Sequence, residues 1–192
     1  MNAIEILRNR RAAVTSGVIA ALDDLAGVDL AHPVVPGTSP LGLTLWHIPR
    51  AQDWLVQTCI RGVAEVADRF TTGLPDPERY GFGTGLTPQD AKAAASSVVP
   101  EYLSDYATAV GEELDGWLAS LAEADLDAIP PFAARQRARA AYVTREALAD
   151  IEGLDGLTVG VLLLRPAMTH VFRRLGELET LGSIARATTA AR

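Results

Sequence analysis

Cysteine occurs only once in the 192 residues, at Cys59, so no intramolecular disulfide can form and the fold has to be held by packing. A reducing, cytoplasmic setting fits that usage. Cys59 falls on an apolar helical stripe, where a small buried hydrophobe is the natural reading; a reactive thiol needs a cationic, partly exposed setting, and none is visible around it. Aromatic residues are scarce as well, 6% of the chain against 48% hydrophobic residues in all. That balance disfavours a β-sandwich, which draws on β-branched and aromatic side chains, and suits helices rich in Ala and Leu. Excess positive charge is missing too. A net charge of −7 argues against a nucleic-acid protein, because phosphate binding rests on a basic footprint. Long apolar runs are also lacking. The mildly apolar stretch from Val14 to Leu22 contains Thr15, Ser16 and Gly17 and ends at Asp23-Asp24, far short of the roughly 20 residues a membrane span requires. Neither a signal peptide nor a transmembrane segment is expected.

What the chain does contain is a helical period. Residues 1–192 read as one all-α domain, with a flexible Ala/Thr-rich tail after about residue 185. A first helix is expected from about Ala3 to Ala26, with Ile4, Leu7, Val14, Val18, Leu22 and Leu25 along one face. A second opens at Thr38-Ser39-Pro40, a hydroxyl cap followed by proline, and continues to about Arg69 on Leu41, Leu45, Ile48, Leu55, Cys59 and Val66. Pro49 lies inside it and cannot bond to the carbonyl of Leu45, so a kink is expected beside His47. Residues 71–87 form a Gly- and Pro-rich crossover. Its Gly81-Phe82-Gly83-Thr84-Gly85 lacks the preceding strand and following lysine of a phosphate loop.

A third helix starts near Pro88 with Thr87 as cap, is interrupted or bent at Pro100, and then runs to about Ala122 on Leu103, Ala107, Val110, Leu114, Trp117 and Leu121. Residues 123–156 read as irregular, with a short helix around Thr144 to Ile151. Arg135, Arg137, Arg139 and Arg145 there read as a solvated loop offsetting nearby carboxylates, with anion binding as the alternative. The fourth helix covers about Leu157 to Ala187, and its seam is Leu157, Val161, Leu164, Met168, Val171, Leu175 and Leu178. Four long helices joined by two long connections, between helices 2 and 3 and between helices 3 and 4, fit a four-helix bundle that is not simply up-down-up-down.

Chemistry-bearing residues are few, and three histidines carry most of the interest. His32 precedes Pro33 in a loop and reads as exposed. His47 lies on the stripe Thr44, His47, Ala51, Trp54, one position from the seam residue Ile48. His170 lies on the stripe Ala167, His170, Arg174, Glu177, one position from the seam residue Val171. Both imidazoles thus flank the core and are placed to meet across a helix–helix interface. A second histidine four residues after His170 would make a two-ligand clamp, but that position holds Arg174, whose guanidinium has no lone pair for a metal.

Two motifs carry a family resemblance. Ser39-Pro40-Leu41-Gly42-Leu43-Thr44-Leu45-Trp46-His47-Ile48, followed by Asp53-Trp54, resembles the second helix of the DinB-like superfamily of metalloenzymes. His170-Val171-Phe172-Arg173-Arg174-Leu175-Gly176-Glu177-Leu178-Glu179 resembles that superfamily's last bundle helix, His-x-x-x-His followed by Leu-Gly-Glu. The resemblance spans roughly residues 3–187. It implies a bundle of unusual helix order, a divalent metal such as zinc or nickel held by three histidines, frequent homodimers, and relatives that are transferases or isomerases using mycothiol or bacillithiol. His47 and His170 fall on two of the ligand positions and Arg174 on the third. The leading expectation is therefore a degenerate metal site in which Arg174 binds a small anion, with Trp46 and Trp54 either lining that pocket or serving as core. The alternatives are a metal-dependent thiol transferase or isomerase, using His47 and His170 with Glu177 as third ligand, and a non-catalytic dimeric scaffold. Glu177 is three residues from Arg174 on the same face, where an ion pair with Arg174 is its more natural role.

Overall fold

In the computed structural model, described here for residues 2–139, 148–149 and 151–190, every regular element is helical and no strand is present among the described residues. The α-helices are α1 (Ala3–Asp24), α2 (Leu41–Asp53), α3 (Pro77–Tyr80), α4 (Pro88–Ser96), α5 (Pro100–Ser120), α6 (Phe132–Ala138), α7 (Val159–Leu164) and α8 (Val171–Ala190). Two π-helical segments extend them: Trp54–Arg61 continues α2, and Arg165–His170 joins α7 to α8. None of these helices is long and apolar enough to cross a membrane.

Helix α1 begins with a capping box: the Asn2 side chain accepts from the Glu5 amide, and the Glu5 carboxylate accepts from the Asn2 amide. Its predicted face is buried throughout, and Arg11 joins it at the one polar step, bonding to Thr15 and lying 3.5 Å from Asp115. Helix α1 packs on α5 and α8, and α2 packs on the same two helices while α4 covers it from another side. Residues 40–50 are consequently buried on every face, as expected of a helix enclosed by neighbours. Leu41, Leu45 and Ile48 are fully buried, each contributing about 1.5–3 kcal/mol relative to exposure. Cys59 lies in this core, and burial pushes its thiol pKa up, which leaves it unreactive.

Several expectations are corrected. The second helix does not run to Arg69. After Asp53 it widens into the π segment, stops at Gly62 in the left-handed conformation, and is followed by a separate 3-10 turn, Val66–Arg69. Pro49 is carried within α2. In the last helix the predicted seam holds only from the π segment onward. Met168, Val171 and Leu178 are buried, whereas Val161 and Leu164 are exposed and Val159, Leu162 and Leu163 are buried in their place. A π turn inserts a residue and rotates what precedes it, so a single 3.6 period cannot phase both halves.

The region after 123 is more ordered than expected, with a 3-10 turn at Glu123–Asp127 and helix α6. Arg135 and Arg139 there are not a solvated loop. Arg135 donates to the carbonyls of Ile60 and Cys59 at the end of the first π segment, and Arg139 pairs with Asp68 at 3.3 Å. Arg137 is exposed, while Arg145 and most of the expected 144–151 helix lie outside the described residues. Helix α8 continues to Ala190, with Ala185 buried.

Candidate functional site

The two core histidines meet. His47, on α2, and His170, at the end of the second π segment, place their Nε2 atoms 2.8 Å apart, with rings edge to face at 77°. The other nitrogen of His47, Nδ1, lies 2.6 Å from the Phe82 carbonyl oxygen, which can only accept. Nδ1 therefore carries the hydrogen and Nε2 the lone pair, so the proton between the rings comes from His170 Nε2. His170 Nδ1 is then an acceptor, and the Arg173 guanidinium donates to it at 3.3 Å. One directed chain runs from Arg173 through His170 and His47 to Phe82, the tautomers being assigned by the bonds they satisfy.

The crossover positions that carbonyl. Gly81 and Gly83 take φ of +60° and +89°, and a Cβ on Gly83 would lie 3.2 Å from the Trp46 ring and 3.4 Å from His47 Nδ1. Only glycine suits that backbone so close to a packed helix. The Gly-rich stretch is thus a docked loop that sets a tautomer. Arg50, fully buried one turn after His47, donates through Nε to the Gly81 carbonyl at 3.1 Å and through its terminal nitrogen to Glu65 at 2.6 Å. Thr58 also donates to Glu65. Asp53 accepts from the amides of Val66 and Ala67 and from the Tyr106 hydroxyl, each at 2.9 Å. Burial alone would lower the Arg50 pKa, and Tyr106, Glu65 and Asp53 together raise it, so the guanidinium stays charged. Burial pushes the Asp53 carboxyl up, against the pull of Arg50 and the two amides.

Beside the histidines is a cavity of about 550 Å³. Trp54 and Phe82, stacked at 4.3 Å with Leu55, Ile151 and Leu154, make its apolar wall. His47, His170, Arg165, Arg173 and Arg174 supply its polar side, and no carboxylate lines it among the described residues. Of the two roles open to Trp46, pocket lining or core, it takes the core position. His32 is exposed and pairs with Asp29 at 2.7 Å.

Arg174 lines the cavity and is bound to Glu177 by an ion pair at 2.7 Å. That leaves two imidazoles and a guanidinium at the positions the resemblance assigns to a metal. The donor set does not fit a three-ligand centre: among the described residues no group of three His, Cys, Asp or Glu is arranged to hold a metal. The nitrogens facing each other at 2.8 Å are also closer than the roughly 3.3 Å expected for two ligands of a tetrahedral zinc.

Sequence reasoning reached His47, His170, Arg174 and Trp54 but missed Arg50, Asp53, Glu65 and Tyr106. A signal existed for the first two: charges at 50 and 53 on a helix apolar all round have to be paired. The Phe82 carbonyl had none, because loop docking leaves no periodic trace. Comparison with models of known protein families finds no match, and comparison with curated proteins finds no similar sequence.

Burial of His47 has a measurable consequence. It holds the imidazole neutral, bringing its pKa from 6.5 down to about 3; His170, Arg174 and Arg50 add to this and the Phe82 carbonyl opposes it. The unfolded chain takes up this proton near its ordinary pKa, so the contribution to stability is complete above about pH 6.5 and is lost as pH falls toward about 3. Within that window the unfolding free energy declines by about 1.4 kcal/mol per pH unit from this group alone. Urea titrations between about pH 6.5 and 4 should show a shallower slope for His47→Gln. Equal slopes would mean that His47 is not held neutral in the native state.

Proposed function

We propose that this chain is a four-helix bundle of the DinB-like type, α1, α2, α5 and α8, whose metal position has been turned over to binding a small organic anion. The packing of α1 and α2 on α5 and α8 supports the bundle, as do the long connections between the second and third and the third and fourth long helices. The observation that carries the function is the charge of the cavity wall. In a chain of net charge −7, three arginines and two imidazoles face one space with no described carboxylate among them. Guanidinium forks match carboxylate and phosphate oxygens, and their attraction is strengthened where apolar walls exclude water. Arg173 and His170 are already joined, so an anion meets a preorganised edge.

A thermal-shift screen of carboxylates and phosphates tests the reading. Stabilisation is expected to grow with ligand concentration by mass action, and to disappear in Arg174→Ala. No stabilisation by any anion would defeat the proposal. Zinc or nickel in stoichiometric amount in the purified protein would replace it with the metal-dependent thiol transferase or isomerase.

A further inference from the structure

A second, smaller cavity of about 180 Å³ lies on the other side of the same residues. His47, Thr84 and Arg174 line both cavities, so these side chains are a shared wall. The small cavity is otherwise bounded by the hydroxyl-bearing Ser39 and Thr44, by Gly83 and Gly85 of the docked loop, and by the apolar Leu43, Leu86 and Ala91. It opens on the first turn of α2, the positive end of that helix's dipole. The two spaces differ in chemistry. One is compact and edged by hydroxyls, glycine backbone and a guanidinium; the other is larger and has a stacked Trp54–Phe82 pair with aliphatic neighbours.

We infer that the two cavities are halves of one site for a bipartite ligand: a compact oxyanion in the small lobe, and a flat apolar body in the large lobe against Trp54 and Phe82. Arg174 is the joint between them. Its terminal nitrogen holds Glu177 at 2.7 Å, while its Nε is buried with no hydrogen-bond partner. The Gly83-Thr84-Gly85 stretch, lacking every mark of a nucleotide-binding phosphate loop, would still border an oxyanion here, through its neighbours' hydroxyls and Arg174. The carboxylate and phosphate versions share this chemistry, and the ligands below separate them.

This inference rests on the anion reading and is tested apart from it. Calorimetry on the full chain compares inorganic phosphate with phenyl phosphate, and acetate with benzoate. In at least one pair the ring-bearing anion should bind roughly tenfold more tightly, or better, because the ring leaves water for the apolar wall. Ser39→Ala and Thr44→Val should weaken both members of that pair alike, and Leu154→Gln only the ring-bearing one. Ser39 and Leu154 are only partly buried, so these two variants test each lobe even where Thr44→Val fails to fold. Equal affinity with and without the ring in both pairs, or binding unaltered by Ser39→Ala and Thr44→Val, overturns the two-lobed site while leaving an anion site in place. Failure of all four anions to bind removes the anion reading and this inference together.

Discussion

Arg50→Met is expected to destabilise the protein by about 3–5 kcal/mol, a fall in Tm on the order of 10 °C for a chain of this size. The argument rests on what the substitution leaves behind. Arg50 and Glu65 are both fully buried and joined at 2.6 Å, and Asp53, also fully buried, lies 3.9 Å away. Removing the guanidinium leaves two carboxylates in a region of low polarity without the cation between them, and Glu65 keeps only a longer pair, 3.8 Å, with Arg139. The expense of a buried, uncompensated charge exceeds the modest net worth of the pair itself. Arg50→Met/Glu65→Gln should therefore regain part of the loss, since it removes the charge as well as its partner. Chemical denaturation of the two variants is the measurement. A loss of less than about 1 kcal/mol in the single variant would show that Glu65 and Asp53 find other partners or take up protons. The single variant should also loosen the Gly81–Gly83 loop, because Arg50 is its donor at Gly81.

Arg174→His is expected to complete a three-imidazole metal site. The substitution puts a third imidazole one helical turn after His170, on the wall that His47 already lines, and releases Glu177. Three convergent imidazoles match the ligand number of catalytic zinc centres. With zinc or nickel at about 100 times the dissociation constant, binding to the folded state adds about 2.7 kcal/mol. That is a Tm increase of roughly 5–10 °C at this chain length. The parent should shift little, because two imidazoles beside a guanidinium bind a dication weakly. Identical behaviour of parent and variant with both metals would mean that residue 174 does not converge with the histidine pair. The neighbouring rings must part slightly to admit the ion, so calorimetric affinity is a better measure than Tm alone.

How much of this was legible in advance varied by residue. Helix α1 was readable to within two residues, Ala3–Asp24 against the expected Ala3 to Ala26, because one amphipathic face against one core imposes one period. The third stretch was equally clear, with Thr87 capping α4 and Pro100 opening α5. The juxtaposition of His47 and His170 followed from their matching places beside two seams. The phase of residues 157–164 did not, because the π turn at Arg165–His170 shifts it, and such a turn is selected by packing between helices more than by local preference.

The sequence alone was enough for the helical class, the core faces outside residues 157–164 and the two histidines, because these depend on periodicity and on which side chains leave water. Two things needed the folded chain: the proton's direction between the imidazoles and the charge of the cavity wall. Each rests on contacts between residues far apart in sequence — Phe82 on His47, Gly81 on Arg50, the rotation that the π segments impose on His170 — and no local pattern encodes them. Distance along the chain is thus what separated the readable part of the site from the rest, since short-range spacing sets a helix face and only tertiary packing sets what that face meets.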